Sequence, residues 1–118
     1  MNYKFRGKSN GVWVYGSYVH NRHGHFIYDK DVVHWRVVPD TVGMWTGLLD
    51  KNGKEIYEKD WVKYDECYGG DYEKNGLTGQ IKFECGEFCV YRNGDYGHEL
   101  GQLVINKCIE VINNPLNN

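Results

Sequence analysis

Short runs of alternating apolar and polar residues fill most of this chain, which is typical of β-strands. The first clear run is Val12 to His20, where β-branched and aromatic side chains occupy both sets of alternating positions. Because both faces are apolar, the pattern predicts a strand that is central to the fold or covered by a partner. Asn21 to Gly24 has turn composition and His25 to Tyr28 reads as the returning strand, so this segment is predicted to form a β-hairpin.

A strand, a tight turn and a second strand are predicted in the middle of the chain. Asp50-Lys51-Asn52-Gly53 has a turn signature, because the Asp side chain can bond the backbone two residues on and Gly can adopt positive φ. Glu55 to Lys59 is predicted to form one helical or 3₁₀ turn. The strands predicted in this part of the chain are His34 to Val38, which ends at Pro39, then Val42 to Leu49 and Trp61 to Asp65.

The C-terminal half is predicted to contain a long loop, a hairpin, a helix and a last strand. Glu66 to Gly76 is the longest polar segment and is predicted to be a mobile surface loop. Leu100, Leu103 and Val104 have helical spacing. The remaining predicted elements are strands at Gln80 to Glu84 and Glu87 to Arg92 about Cys85-Gly86, a turn region at Asn93 to Gly97, a helix at His98 to Ile105 and a strand at Cys108 to Ile112.

Length and strand spacing together predict one mainly β domain that spans residues 1–118. A chain of 118 residues can enclose a single core. Many short strands at a spacing of about eight to twelve residues imply an all-β barrel or sandwich. The composition, with 41% hydrophobic and 15% aromatic residues, is that of a folded protein.

The charge is uneven along the chain, although the net value is only −2. Met1 to Lys59 contains nine Lys or Arg against six Asp or Glu, and Asp60 to Asn118 contains five against ten. The balance argues against a domain built mainly to neutralise phosphates. Sequence halves interleave in many β folds, so the sequence leaves open whether this asymmetry forms a surface patch.

The start of the chain lacks the pattern of a secretory signal, because Lys4, Arg6 and Lys8 interrupt it. No apolar run approaches the length that spans a bilayer, so we expect a cytoplasmic protein without membrane contact. The cysteines are then expected to be reduced thiols packed as small hydrophobes, and they are Cys67, Cys85, Cys89 and Cys108.

Candidate catalytic and cofactor motifs are weak. Gly47 to Lys54 resembles a phosphate loop only superficially, because the glycine spacing is wrong and Glu55 stands where a Ser or Thr would hold magnesium. Asp50 to Glu55 lacks the alternating ligands of a calcium loop. Ser9 and Ser17, the only serines, do not sit in a nucleophile elbow. We therefore predict no catalytic residues, no cofactor and no enzyme activity.

Three histidines, His20, His23 and His25, surround the predicted turn at Asn21 to Gly24. Their imidazoles could converge on a divalent ion, but no acidic or thiolate fourth ligand is evident. Solvent-exposed turn histidines are the simpler interpretation, and no metal ligand is assigned. Cys85 and Cys89 bracket a hairpin, yet Cys67 and Cys108 lie in unrelated elements, so a structural zinc site is also disfavoured.

Several motifs, in order along nearly the whole chain, resemble the YopX family of phage and prophage proteins. The most specific is TVGMWTGLLDKNGKEIYEKD, from Thr41 to Asp60. The others are KFRGK from Lys4, WVYGSYV from Trp13, GQIKF from Gly79 and IEVINNPL from Ile109. The resemblance implies a mainly β fold with an SH3-like barrel, extra N-terminal strands and an origin in mobile viral DNA, and it implies no catalytic residues.

Two departures from the family pattern concern local backbone. Lys59 occupies the place where the pattern usually has a glycine before Asp60. The C-terminal segment lacks a Gly-Asn-Ile-Tyr insertion typical before Asn-Pro, so the last element is expected to end differently.

Three hypotheses of function follow. The first is a non-catalytic module that binds a host or phage protein, or a second copy of itself, as the doubly apolar strand and the aromatic content favour. The second is an SH3-like module that binds nucleic acid through five cations and stacking aromatic rings. The third is a small metal-dependent enzyme built on the histidine turn. The five cations are Lys4, Arg6, Lys8, Arg22 and Arg36.

Overall fold

Eleven β-strands and one short α-helix make up the described part of the chain. The computed structural model describes residues 4–68 and 72–113. The helix is Leu100–Ile105 (α1), and a 3₁₀ turn covers Pro39–Thr41. The strands are Phe5–Ser9 (β1), Val12–Asn21 (β2), Gly24–Tyr28 (β3), His34–Arg36 (β4), Gly43–Leu49 (β5), Glu55–Tyr57 (β6), Trp61–Tyr68 (β7), Tyr72–Glu84 (β8), Glu87–Arg92 (β9), Asp95–Glu99 (β10) and Ile109–Ile112 (β11). The prediction of a mainly β protein with a short C-terminal helix is confirmed.

The chain divides into two compact units, Met1–Trp45 and Thr46–Asn118. In the N-terminal unit the strand order is β4-β3-β2-β1, and β1 also pairs with Gly43 and Met44 at the start of β5. In the C-terminal unit the rest of β5 neighbours β6, and a five-stranded antiparallel sheet has the order β10-β9-β8-β7-β11. Neither order returns to its first strand within the described residues, so the SH3-like barrel is not confirmed. A single domain over residues 1–118 stays a prediction.

Three hairpins share the same two-residue turn. Their loop residues are Asn10-Gly11, Cys85-Gly86 and Asn93-Gly94, and both residues of each pair have positive φ. Two consecutive positive φ values define the type I′ turn, whose twist matches that of the flanking strands. The hairpin about Cys85-Gly86 was predicted, whereas the sequence reading missed strand β1 and its Asn10-Gly11 turn.

The larger hydrophobic core lies in the C-terminal unit. Its buried members are Ile56, Val62, Tyr64, Ile81, Val90, Leu100, Leu103 and Ile109. They come from β6, β7, β8, β9, α1 and β11, so five strands and the helix contribute side chains to one cluster. Of the predicted helix residues, Leu100 and Leu103 are buried and Val104 packs against them.

The N-terminal unit buries far fewer apolar side chains. Ile27 and Val37 are its buried hydrophobic residues among those described. Strand β2 is internal to the sheet, as predicted, but none of its residues is buried, and Val12 and Tyr15 are exposed at 64% and 47%. A strand can therefore be internal to a sheet while its side chains are only half-buried or exposed.

The segment Glu55 to Lys59 is not helical, and this prediction was wrong. The Asp50 N–H donates to the Lys54 carbonyl at 2.8 Å, which closes a hairpin and sends the chain back as strand β6. Ile56 is then fully buried, so core packing outweighs the local helical preference. A turn does follow at residues 57–60, where the Asp60 N–H donates to the Tyr57 carbonyl at 3.1 Å.

Strands β7 and β8 replace most of the loop predicted at Glu66 to Gly76. Glu66 pairs with Lys74, and the ladder continues outward to Tyr68 and Tyr72. Backbone pairing overrides the polar composition here, because a two-stranded ribbon satisfies its main-chain groups whatever the side chains are. Residues 69–71 of the predicted loop lie outside the described residues.

The helix near the C-terminus begins two residues later than predicted. His98 and Glu99 belong to β10 and pair with Val90 and Cys89, so α1 starts at Leu100. The predicted turn at Asn93 to Gly97 is correspondingly shorter, because β10 begins at Asp95. The last strand was predicted from Cys108 and is found at Ile109–Ile112.

Candidate basic and aromatic site

Strand register in the N-terminal unit places cations and aromatic rings on one face of its sheet. Arg6 lies opposite Tyr15, and Lys8 lies opposite Trp13 on the neighbouring strand. Phe26 lies opposite Arg36 in the same way. Directly opposed residues of antiparallel strands project to the same side. We call this surface the basic–aromatic face, and its members are Lys4, Arg6, Lys8, Trp13, Tyr15, Phe26, Tyr28, Arg36 and Trp45.

Each cation of the basic–aromatic face lies over a ring. The Arg6 guanidinium is 4.1 Å and the Lys8 ammonium 5.1 Å from the centre of the Trp13 ring. The Lys4 ammonium is 4.7 Å from the ring of Trp45. The Arg36 guanidinium is 5.0 Å from the ring of Phe26. Such contacts hold the long side chains of the cations in place against the rings.

Acidic side chains are absent from the strand positions of this face. The acids of the N-terminal unit are Asp29, Asp31 and Asp40, and all three lie between strands. Asp29 accepts a hydrogen bond from the Trp35 indole at 2.9 Å. That bond, with those from the Val33 and Asp31 backbone and despite partial desolvation, lowers the pKa of the Asp29 carboxyl. Its negative charge is thus fixed in the loop between β3 and β4.

A concave pocket of about 500 Å³ adjoins the basic–aromatic face. It is lined by Lys8, Ser9, Asn10, Gly24, His25, Arg36, Val37, Val38 and Pro39. The lining includes the basic side chains Lys8 and Arg36 and no carboxylate. The volume falls within the range typical of small-molecule sites.

The segment after β4 builds one wall of the pocket by reaching back to β1. The Val38 N–H donates to the Lys8 carbonyl at 2.9 Å, and the Val37 N–H donates to the His25 carbonyl at 3.0 Å. The Lys8 N–H donates to the Thr41 hydroxyl at 2.8 Å. These single hydrogen bonds fix the apolar residues Val37 to Pro39 beside the cations.

Gly24 allows Arg36 to lie across the end of the hairpin. A Cβ at Gly24 would stand 2.4 Å from the Arg36 Nη1 atom, and its φ of +130° also favours glycine. Gly24 and Arg36 both line the pocket. A larger residue at position 24 would therefore displace the guanidinium from the pocket wall.

The structure brings together four of the five cations predicted to contact phosphates. Lys4, Arg6, Lys8 and Arg36 share the basic–aromatic face, and Arg6 is the most buried of them at 9% exposure. Arg22 is separate, because it lies in the loop between β2 and β3, where its Nε donates to His23 Nε2 at 3.3 Å. The sequence reading did not place the cations on one face, since that depends on register.

The three histidines of the predicted turn are split between two strands and the loop. His20 and His25 form a cross-strand pair, and their rings stack with centres 3.8 Å apart. His25 Nδ1 is hydrogen-bonded to the Tyr18 hydroxyl, while His23 lies in the loop. Over residues 4–68 and 72–113, no three His, Cys, Asp or Glu side chains are grouped to hold a metal ion. No observation favours the metal-dependent enzyme.

The described cysteines Cys85, Cys89 and Cys108 are free thiols. Cys89 is buried, and its desolvation, with the nearby Glu87 side chain, raises the pKa of the thiol to about 11. It is therefore protonated at neutral pH and weakly nucleophilic. Cys85 is exposed rather than packed as predicted, because it occupies a hairpin turn. The side chain of Cys67 lies outside the described residues.

The Asp50 carboxylate accepts hydrogen bonds from backbone N–H groups. It lies in the turn that was compared with a phosphate loop and a calcium loop. Asp50 Oδ1 accepts from the N–H groups of Asn52 and Lys54 at 2.8 and 2.9 Å. Oδ2 accepts from the Val111 N–H at 2.9 Å. Asp50 therefore has a structural role, because its hydrogen bonds connect the turn to strand β11.

The helix α1 is six residues long, and no helix in the described ranges is long and apolar enough to cross a membrane.

The fold and the site define a mainly β protein with two antiparallel sheets and a surface of cations stacked on rings. The sequence matches the YopX protein family over residues 5–118, and the chain belongs to that family. No curated protein matches it.

Proposed function

We propose that this protein is a non-catalytic binding module whose basic–aromatic face binds single-stranded nucleic acid. The observation that carries the proposal is the sharing of one face by Lys4, Arg6, Lys8 and Arg36 with the aromatic rings and without a strand-borne acid. Cations attract the phosphate backbone, and rings offer stacking surfaces to bases. A duplex conceals its bases, so the rings favour an unpaired strand.

The charge of the N-terminal unit supports the same proposal. Met1–Trp45 contains six Lys or Arg and three Asp or Glu, so it is basic although the whole chain carries −2. The argument from net charge against nucleic acid therefore does not apply to this unit. The proposal rests on the face and does not need a closed SH3-like barrel. We further propose an origin in mobile viral DNA, which the resemblance to the YopX family supports.

The test is titration of a fluorescent 12-nucleotide single strand at several salt concentrations. Three phosphate contacts, from Lys4, Lys8 and Arg36, predict a slope of log affinity against log salt of about −2. Lys4→Gln with Lys8→Gln is expected to weaken binding at least about tenfold and to reduce the slope by about 1.4. Lys30→Gln with Lys54→Gln is the matched control, because it removes the same charge from exposed positions outside the face. Absence of binding at low salt would overturn the proposal.

A second candidate function is self-association, a form of the protein-binding hypothesis. Exposed large apolar residues are concentrated in the N-terminal unit, where they are Val12, Tyr15, Val32, Val33, Trp35 and Val38. The C-terminal unit contains eight Lys or Arg against thirteen Asp or Glu, so the basic unit of one copy complements the acidic unit of another. The native mass at low and high salt tests this candidate, and a monomer at all concentrations would overturn it.

A further inference from the structure

We infer that the pocket beside the basic–aromatic face is a subsite for a nucleoside 5′-monophosphate, such as the phosphorylated end of a single strand. The inference rests on the proposed function, because it assigns a particular part of the nucleic acid to a particular pocket. It depends on three properties of the pocket: its charge, its size and its apolar wall.

The charge of the pocket selects an anion. Lys8 and Arg36 both line it, and neither pairs with a carboxylate in the part of the chain that the structure describes. Each cation stacks on a different ring, Lys8 on Trp13 and Arg36 on Phe26, and a ring contact does not neutralise the charge. A terminal phosphate has a higher charge than an internal phosphodiester and offers three oxygens, so two adjacent cations favour the terminal group.

The size and the apolar wall of the pocket select more than a phosphate ion. A volume of about 500 Å³ leaves room for more than a phosphate ion. Val38 and Pro39 supply an apolar surface for a base or sugar, and Ser9 and Asn10 supply hydrogen-bonding groups. The phosphate group is therefore assigned to Lys8 and Arg36, and the nucleoside is assigned to the apolar wall of the pocket.

Gly24 leaves the space that the Arg36 guanidinium occupies at the pocket wall. A Cβ at position 24 would approach the guanidinium to 2.4 Å, so Gly24→Ala moves the cation without removing its charge. Gly24→Ala and Arg36→Gln should then weaken phosphate binding by similar factors, although only the second changes the net charge. Gly24 is a positioning residue in this scheme.

The experiment compares three probes on the full chain by calorimetry and by amide chemical shifts. A nucleoside 5′-monophosphate is expected to bind at least about tenfold more tightly than the same nucleoside or inorganic phosphate. Arg36→Gln and Lys8→Gln should each weaken it about tenfold or more, and Lys30→Gln should leave it unchanged. Chemical-shift changes should centre on Ser9, Asn10 and Val38. Inorganic phosphate binding as tightly as the monophosphate would overturn the nucleotide assignment.

A second arm separates this inference from the proposed function. A 12-nucleotide strand with a 5′-phosphate should bind about tenfold more tightly than the same strand with a 5′-hydroxyl, and Arg36→Gln should abolish the difference. Equal, salt-dependent binding of both strands would overturn the subsite and leave the proposed function standing. Failure of both strands to bind would overturn the proposed function, and saturable monophosphate binding would still support the pocket. Circular dichroism of each variant confirms that it folds.

Discussion

Asp50 shows how one side chain can brace distant parts of the C-terminal unit. It is 7% exposed and accepts three backbone N–H hydrogen bonds, two within its turn and one from Val111. Burial by itself raises the pKa of its carboxyl, but the hydrogen bonds and the nearby Lys54 outweigh it and lower that pKa. The sequence predicted the local bond to Asn52 and could not reveal the bond to a residue 61 positions away.

Replacement of Asp50 by Ala is expected to lower the free energy of unfolding by about 3 kcal/mol, because it leaves three backbone N–H groups without their acceptor. Asp50→Asn should lower it less, since one amide oxygen remains. Urea denaturation measures both changes. Asp31→Ala, an exposed acid, serves as the control and should change stability by less than about 0.5 kcal/mol.

Acidification should diminish the difference in free energy of unfolding between the wild-type protein and the Asp50→Asn variant. The folded pKa lies below the unfolded value, so the stabilisation is complete above the unfolded pKa of about 3.9 and is lost as pH falls through the folded pKa. Denaturation series between neutral pH and strong acid measure the difference. If the difference in free energy of unfolding stayed constant over this pH range, stabilisation by the charged Asp50 carboxylate would be contradicted.

Lys59 adopts a left-handed backbone conformation that glycine adopts more readily. Its φ is +77°, and it is the third residue of the turn at residues 57–60, where a type II turn requires positive φ. The Lys59 N–H donates to the Ile81 carbonyl at 2.8 Å, and its own carbonyl accepts from Gln80. These bonds fix the main chain regardless of the side chain.

Lys59→Gly is expected to raise the free energy of unfolding by about 1 kcal/mol, because it relieves the left-handed strain of an L-residue. Thermal and urea unfolding measure the change. The matched control is Lys82→Gly in the middle of β8, where the backbone is extended and glycine should destabilise. A loss of stability in Lys59→Gly would show that side-chain contacts outweigh the backbone strain.

Among the secondary-structure elements, the three type I′ hairpins differ in the first residue of the turn. Two use Asn-Gly, and the β8–β9 hairpin uses Cys85-Gly86, with Cys85 at a φ of +51°. Asn is tolerated in the left-handed region more readily than Cys. The β1–β2 and β8–β9 ladders keep a continuous register, whereas the β9–β10 ladder shifts between Tyr96 and His98.

Cys85→Asn should therefore stabilise the protein by about 1 kcal/mol, and Asn93→Cys should destabilise it by about the same amount. The two variants make opposite changes at equivalent turn positions, so each is the control for the other. Melting temperatures under reducing conditions provide the measurement. Changes of the same sign would contradict an effect of turn geometry.

At the scale of the whole molecule, stability and candidate binding are divided between the two units. The C-terminal unit contains the eight-residue core cluster, whereas the N-terminal unit buries Ile27 and Val37 among its described apolar residues. The latter contains the pocket and the basic–aromatic face. Binding surfaces are commonly found in regions of lower local stability.

Hydrogen exchange of the native protein is expected to be slowest in β7, β8 and β9, around Val62, Ile81 and Val90, because these strands surround the core cluster. Strands β2 to β4 should exchange faster. Mass spectrometry of peptides from each strand measures this order. Slowest exchange in the N-terminal unit would contradict the division of stability.

The sequence alone determined the local features of this protein. Alternation predicted most strands, and the turn signatures at Asp50 and Cys85-Gly86 were confirmed, because both depend on residues close together in the chain. Tertiary structure decided that Glu55 begins a strand and that Lys8 and Arg36 line one pocket. Those outcomes depend on strand register, strand order and core packing between residues far apart in the chain, which local patterns do not specify.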